Sequence, residues 1–159
     1  MRTRLFISFG QPLALALLLG FSLNASAQTT VDDAWVRATV PQQPSTGAFM
    51  RLTASTDSKL VGVQSPVAGI VQIHQSSMVN DVMSMKPVAE VALPAGKTVA
   101  IDPEGYHIML INLTRQIKEG DAVPLTLIVQ DDMGEKQTIE VTATARALNA
   151  PEHGGMHTH

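Results

Sequence analysis

The chain has 159 residues, 45% of them hydrophobic, and a formal net charge of −3, which fits one domain built around an apolar core. It contains no cysteine. That excludes disulfide bracing, thiol redox catalysis, thiolate metal sites and lipid attachment at a lipobox, and no basic run or aromatic platform points to nucleic acid.

Residues 1–27 read as a cleaved secretory signal. Arg2 and Arg4 supply the positive start, Leu13–Phe21 a short apolar run, and Ala25-Ser26-Ala27 an A-x-A cleavage site. The run is shorter than the roughly 20 residues a membrane span needs, so the expected mature chain starts at Gln28, leaves the cytoplasm and carries no membrane anchor. Without Arg2 and Arg4, nine of the eleven basic residues face fourteen acidic ones, a net charge of −5.

From Gln28 the pattern is that of an all-β domain over residues 28–147. Expected strands are Ala34–Val40, Ala48–Ser55, Leu60–Val63, Val67–Ser76, Val82–Val88, Thr98–Ile101, Tyr106–Leu113, Leu125–Gln130 and Gln137–Ala147. They are short and rich in Val, Ile, Leu and Thr. Turn residues separate them, among them Pro41–Thr46, Asn80-Asp81, Pro94-Ala95-Gly96, Asp102–Gly105 and Asp131–Gly134. No segment sustains a helical apolar period, and Leu113–Gly120 has room for one or two helical turns at most. Asp32-Asp33 and Asp131-Asp132 read as solvated turn charges. Regularly spaced short strands indicate a single-domain Greek-key β-barrel or sandwich. Residues 148–159 form a tail with little to bury, yet they hold three of the five histidines, His153, His157 and His159, and also Met156.

The chemistry centres on "VQIHQSSMVNDVMSM", Val71–Met85, and "YHIML", Tyr106–Leu110. A two-residue turn at Asn80-Asp81 places Met78 opposite Met83 and Ser76 opposite Met85, with His74 diagonal to Met85. His74, Met78, Met83 and Met85 then share one face, while Val71 and Ile73 point to the core; a slip of one residue splits the group. His107 and Met109, two residues apart on a strand, also share a face. Methionine is ordinarily core filler, but the hairpin methionines have polar neighbours. Two imidazoles and two thioethers make a soft, neutral donor set that suits Cu(I) and is poor for Zn(II), Mg(II) or Ca(II).

At these residues the chain resembles the periplasmic copper chaperones of the PCu(A)C family. Their signature is a His, ten residues, a Met, twenty-one residues, then His-x-Met; here it runs His74, Met85, His107, Met109. Chance matches at the last three places have odds on the order of 10⁻⁴ from the His and Met frequencies. The similarity extends to "WVRATVP", "TGAFMRL", "LVGVQSPVAG", "GYHIMLINL" and "KEGDAVPLTL", covering nearly the whole mature domain. It implies a cupredoxin-like β-barrel, and a periplasmic Cu(I) chaperone with His74, Met85, His107 and Met109 as ligands. It further implies delivery to the CuA centre of cytochrome c oxidase subunit II, directly or with Sco-type partners. Met78 and Met83 lie outside the signature and are expected as auxiliary thioethers. Gln75 stands where some relatives carry a Met beside the first His, which affects only an auxiliary donor.

Some relatives bind a second copper through a C-terminal extension. His153, Met156, His157 and His159 are therefore expected to capture copper, Cu(II) included. Blue-copper electron carriers need a Cys ligand, which is absent, and no Ser/His/Asp or paired-acid arrangement suggests an enzyme. The main rival is a periplasmic copper-sequestering or resistance protein with the same ligands.

Overall fold

The computed structural model describes residues 28–147; the expected signal sequence and the tail with His153, Met156, His157 and His159 lie outside the described residues. Ten strands are present: β1 (Thr29–Arg37), β2 (Ser45–Ala54), β3 (Ser58–Gln64), β4 (Ala68–Val79), β5 (Val82–Val88), β6 (Val91–Leu93), β7 (Thr98–Ile101), β8 (Tyr106–Leu113), β9 (Ala122–Asp131) and β10 (Lys136–Arg146). They hydrogen-bond in the order β5-β4-β8-β7-β2-β1-β10-β9-β3-β6, and β8 also pairs with β2. Most neighbours are antiparallel; β1–β10 and β7–β8 are parallel.

The sheet is one ribbon bent over a single core. Ile73, Ile108 and Leu110 from one wing lie in the same apolar cluster as Leu60, Leu125, Leu127 and Val129 from the other. Strand β9 shows how the sequence dictates this. Its Val123, Leu125, Leu127 and Val129 are buried while the residues between them are exposed or half-buried, the period of two that a strand with one wet face requires. Each such Leu or Val contributes about 1.5–3 kcal/mol by leaving water.

The fold is all-β as expected, and β5, β7 and β8 have the expected bounds. Two local expectations need correction, and a third is settled at its lower bound. Val91–Leu93 is a strand that the pattern did not indicate, short, with Val91 and Leu93 buried, and paired with β3. Asp32-Asp33 is not a turn. It lies in β1, where the register with β2 shifts between Asp32 and Trp35, Asp33 takes a positive φ of 50°, and its carboxylate accepts from Arg146. Leu113–Gly120, with room for one or two helical turns at most, forms none. Ile117 is buried completely, its N–H donates to Thr39 Oγ1 at 2.9 Å and its carbonyl accepts from Thr39 N at 2.7 Å, which holds the segment as a loop.

Candidate metal centre

The hairpin β4–β5 turns on Asn80 and Asp81, both at positive φ (51° and 60°). That is a type I′ turn, whose twist matches the two strands and admits Asn and Asp. A two-residue turn fixes the register: Val79 faces Val82, Met78 faces Met83, Ser77 faces Ser84 and Ser76 faces Met85. On its other side β4 pairs with β8, where Ile73 faces Ile108, His74 faces His107 and Gln72 faces Met109. Directly opposed residues point to the same side of a sheet. One side of β5-β4-β8 therefore carries Ile73 and Ile108 into the core, and the other carries Gln72, His74, Met78, Met83, Met85, His107 and Met109.

The two imidazoles form the middle of this face. Their ring centroids are 5.7 Å apart and the planes meet at 65°. Thioethers flank them on opposite diagonals of His74, Met109 one two-residue step away on β8 and Met85 one step the other way on β5. Met78 and Met83 follow one further step toward the turn. The structure thus brings His74 and His107 together, sets Met85 and Met109 at either end of the row, and leaves Met78 and Met83 beyond Met85.

The two histidines differ in environment. His107 is only 3% exposed although it lies on the face away from the core. His74 covers one side. On the other side, one step past the Ala48↔Ile108 pair of β2–β8, Phe49 comes into line with it. Phe49 is itself held by Trp35, at 4.6 Å between ring centroids, and by the Arg37 guanidinium, 5.6 Å from its ring centroid. Its ring lies over Gly47, where a Cβ would stand 2.6 Å from Cζ, so only glycine lets the ring settle there, beside Met109.

His107 Nδ1 sits 3.4 Å from the carbonyl of Gly105. That carbonyl also accepts from Ser76 N, and the turn carrying it is pinned by Asp102 Oδ1, which accepts from Glu104 N and Gly105 N. Nε2 of His107 is buried without a hydrogen-bond partner. An orphaned buried nitrogen is costly, and a metal is one natural way to satisfy it.

His74 is half-buried and its Nε2 lies 2.9 Å from Gln72 Oε1. Desolvation, then the nearby His107, lower its pKa from the ordinary 6.5, so it presents a neutral imidazole with a free lone pair at neutral pH. Among the described residues no group of three His, Cys, Asp or Glu could hold a metal. The further donors this face offers beside the two imidazoles are thioethers, which need no deprotonation and favour soft monovalent ions.

Two parts of the site were not evident in the sequence. Gln72 shares the parity of His74, which places it on the same face, but nothing in the pattern indicates its hydrogen bond. The Phe49–Trp35 wall comes from strands 20 or more residues away and carries no local signal.

Residues 29–145 match the family described as "Putative lipoprotein LpqE-like". A curated relative, putative lipoprotein Lxx21020 of Leifsonia xyli subsp. xyli, is 31% identical over 130 residues, covering 73% of this chain and 78% of the relative. The 159 residues here hold no cysteine, so the lipoprotein description is that of the relatives. Among solved structures, Cu(I)-DR1885 from Deinococcus radiodurans is 32% identical with a TM-score of 0.54, over 78% of this chain and 83% of that one. The copper-bound PCuAC domain from PmoF2 is 22% identical with a TM-score of 0.57, over 75% and 92%, a likeness of fold. The chain belongs to the LpqE-like family, of PCu(A)C type.

Proposed function

We propose that this protein is an exported copper chaperone that binds Cu(I) through His74, Met85, His107 and Met109. It would deliver the ion in the periplasm to the CuA centre of cytochrome c oxidase subunit II, alone or with Sco-type proteins. The observation that carries the reading is the buried, unpartnered Nε2 of His107 facing His74, with a thioether on each diagonal. The copper-bound state of two similar structures supports the choice of metal.

Copper is cargo here. The imidazole pair supplies affinity, His107 rigidly and His74 from a half-exposed position. Met85, 54% exposed, supplies a weak neutral ligand that a partner's donor can displace first. Proton competition acts only on the imidazoles, because thioethers do not titrate. Exposure of Met85 favours delivery over sequestration, which calls for closed coordination.

Titration of the full chain with Cu(I) under reducing conditions tests the assignment. A Met85→Ala/His107→Ala variant should lose one Cu(I) equivalent, and unaltered binding refutes the site. Transfer from the loaded protein to apo subunit II separates delivery from storage.

A further inference from the structure

Met78, Met83 and Met85 are 64%, 55% and 54% exposed. They are not part of the buried core, so the usual use of methionine as adaptable packing does not account for them. They are also sorted by side. All three lie on the face that carries the imidazoles, whereas the opposite face of the same hairpin carries Val79, Val82, Ser77 and Ser84 and no thioether. Met78 and Met83 are directly opposed, so their Cβ atoms stand about 4.5–5.5 Å apart, and Met85 lies on the diagonal, about 7–8 Å away. Each sulfur rides on a stem with three rotatable bonds, and the type I′ turn with both φ values positive locks the register beneath them. Three thioethers on one face of a hairpin of fixed register can converge on a single soft ion.

We propose that Met78, Met83 and Met85 form a second, all-thioether site for Cu(I) at the hairpin tip, outboard of the imidazole pair and sharing Met85 with it. The site takes monovalent soft ions and rejects hard divalent ones, which need oxygen donors. Its three donors are thioethers, which need not lose a proton to bind. Transfer between the two sites is ligand substitution alone. Cu(I) keeps Met85, gives up Met78 and Met83, and takes the imidazoles, with no electron or proton moved. The existence of the tip site stands on the hairpin geometry; the direction of transfer rests on the copper reading of His74 and His107.

The test is methyl NMR of the full chain labelled with 13C-methyl methionine, titrated with Ag(I) as a redox-silent soft ion, with the imidazole signals followed in parallel. The expected result is saturable shifts of the Met78, Met83 and Met85 methyls, with Met133, 84% exposed and outside both sites, unmoved. The same three methyls should respond in a His74→Ala/His107→Ala variant, and a Met78→Leu/Met83→Leu variant should lose the response of Met85 in that background. If Met85, Met109 and the imidazoles shift in the unmodified chain while Met78 and Met83 do not, the tip site is overturned and the four-ligand site stands. If Met78, Met83 and Met85 shift and the imidazoles do not, the tip site stands and the four-ligand reading falls. Equal movement of Met133 identifies non-specific thioether binding and overturns the proposal. The unmodified chain decides these outcomes even where the double histidine variant fails to fold.

Discussion

Replacing His107 with leucine sets stability against metal binding, because the residue is 3% exposed with one ring nitrogen unpartnered and the other offered only a 3.4 Å contact. A buried polar group without a partner costs about 1–3 kcal/mol. Leucine has similar volume and no polar atom, and imperfect shape matching gives back about 1 kcal/mol. The metal-free variant should therefore be at least as stable, with a gain of up to about 2 kcal/mol, which for a domain of this size raises Tm by at most about 10 °C. Cu(I) at a thousandfold excess over its Kd should add about 4 kcal/mol to the unmodified protein and far less to the variant. Thermal unfolding with and without Cu(I) should thus show the order of stability invert. His74→Leu is the control: that ring is half-exposed and its Nε2 is already engaged by Gln72, so no metal-free gain is expected. A metal-free His107→Leu protein that melts below the unmodified one refutes the reasoning, since Nε2 would then be satisfied in some other way.

Gln72→Leu removes the acceptor beside His74 Nε2 and should weaken Cu(I) binding by about 10–100-fold, the usual effect of losing a group that orients a ligand; competition titration measures it, and unchanged affinity argues that Gln72 plays no part in holding the ring. Asp81→Val forces a β-branched residue into φ near 60° at a cost of about 1–2 kcal/mol. It should loosen the hairpin register, read as faster amide exchange across β4–β5 together with weaker Cu(I) binding. The lowered pKa of His74 makes the unfolded chain the better proton binder just below the ordinary value of 6.5. The stability this residue contributes is complete above 6.5 and declines as pH falls from there toward the folded-state pKa. Urea melts of the metal-free protein across this window should show that decline, and His74→Ala should flatten it.

How much of this was legible in the sequence follows from how local each determinant is. The Asn80-Asp81 turn is encoded in two adjacent residues, and period-two alternation on both sides of it carries the register, so the opposition of Met78 to Met83 and Ser76 to Met85 could be read directly and is what the structure has. His107 was harder. Tyr106–Leu113 is apolar on both faces, so parity alone could not place it, and its direct opposition to His74 depends on β8 pairing with β4 across more than 30 residues of chain. Phe49, which register places in line with it, lies over Gly47, a glycine whose role no local pattern marks. Val91–Leu93 escaped because three residues are too few to display a period. Asp33 escaped because two adjacent acids ordinarily signal a turn, whereas here a bulge presents one of them to Arg146.

The placement of the face within the sheet bears on how an ion would leave it. Strand β8 lies inside the sheet, bonded to β4, β2 and β7, while β5 is the outer edge and is paired on one side only. Edge strands open at lower free energy than strands bonded on both sides. His107 and Met109 therefore belong to the stiff part of the face, and Met83 and Met85 to the part that opens first. An ion held between them is bound asymmetrically. Ligands on the β5 side can be exchanged one at a time without disturbing Ile73 or Ile108 beneath, whereas release toward β8 would require displacing the Phe49–Trp35 wall. A receiving protein is thus expected to approach across the β5 edge, where exposed thioethers and free backbone groups lie together, and substitutions there should alter transfer rate more than equilibrium affinity.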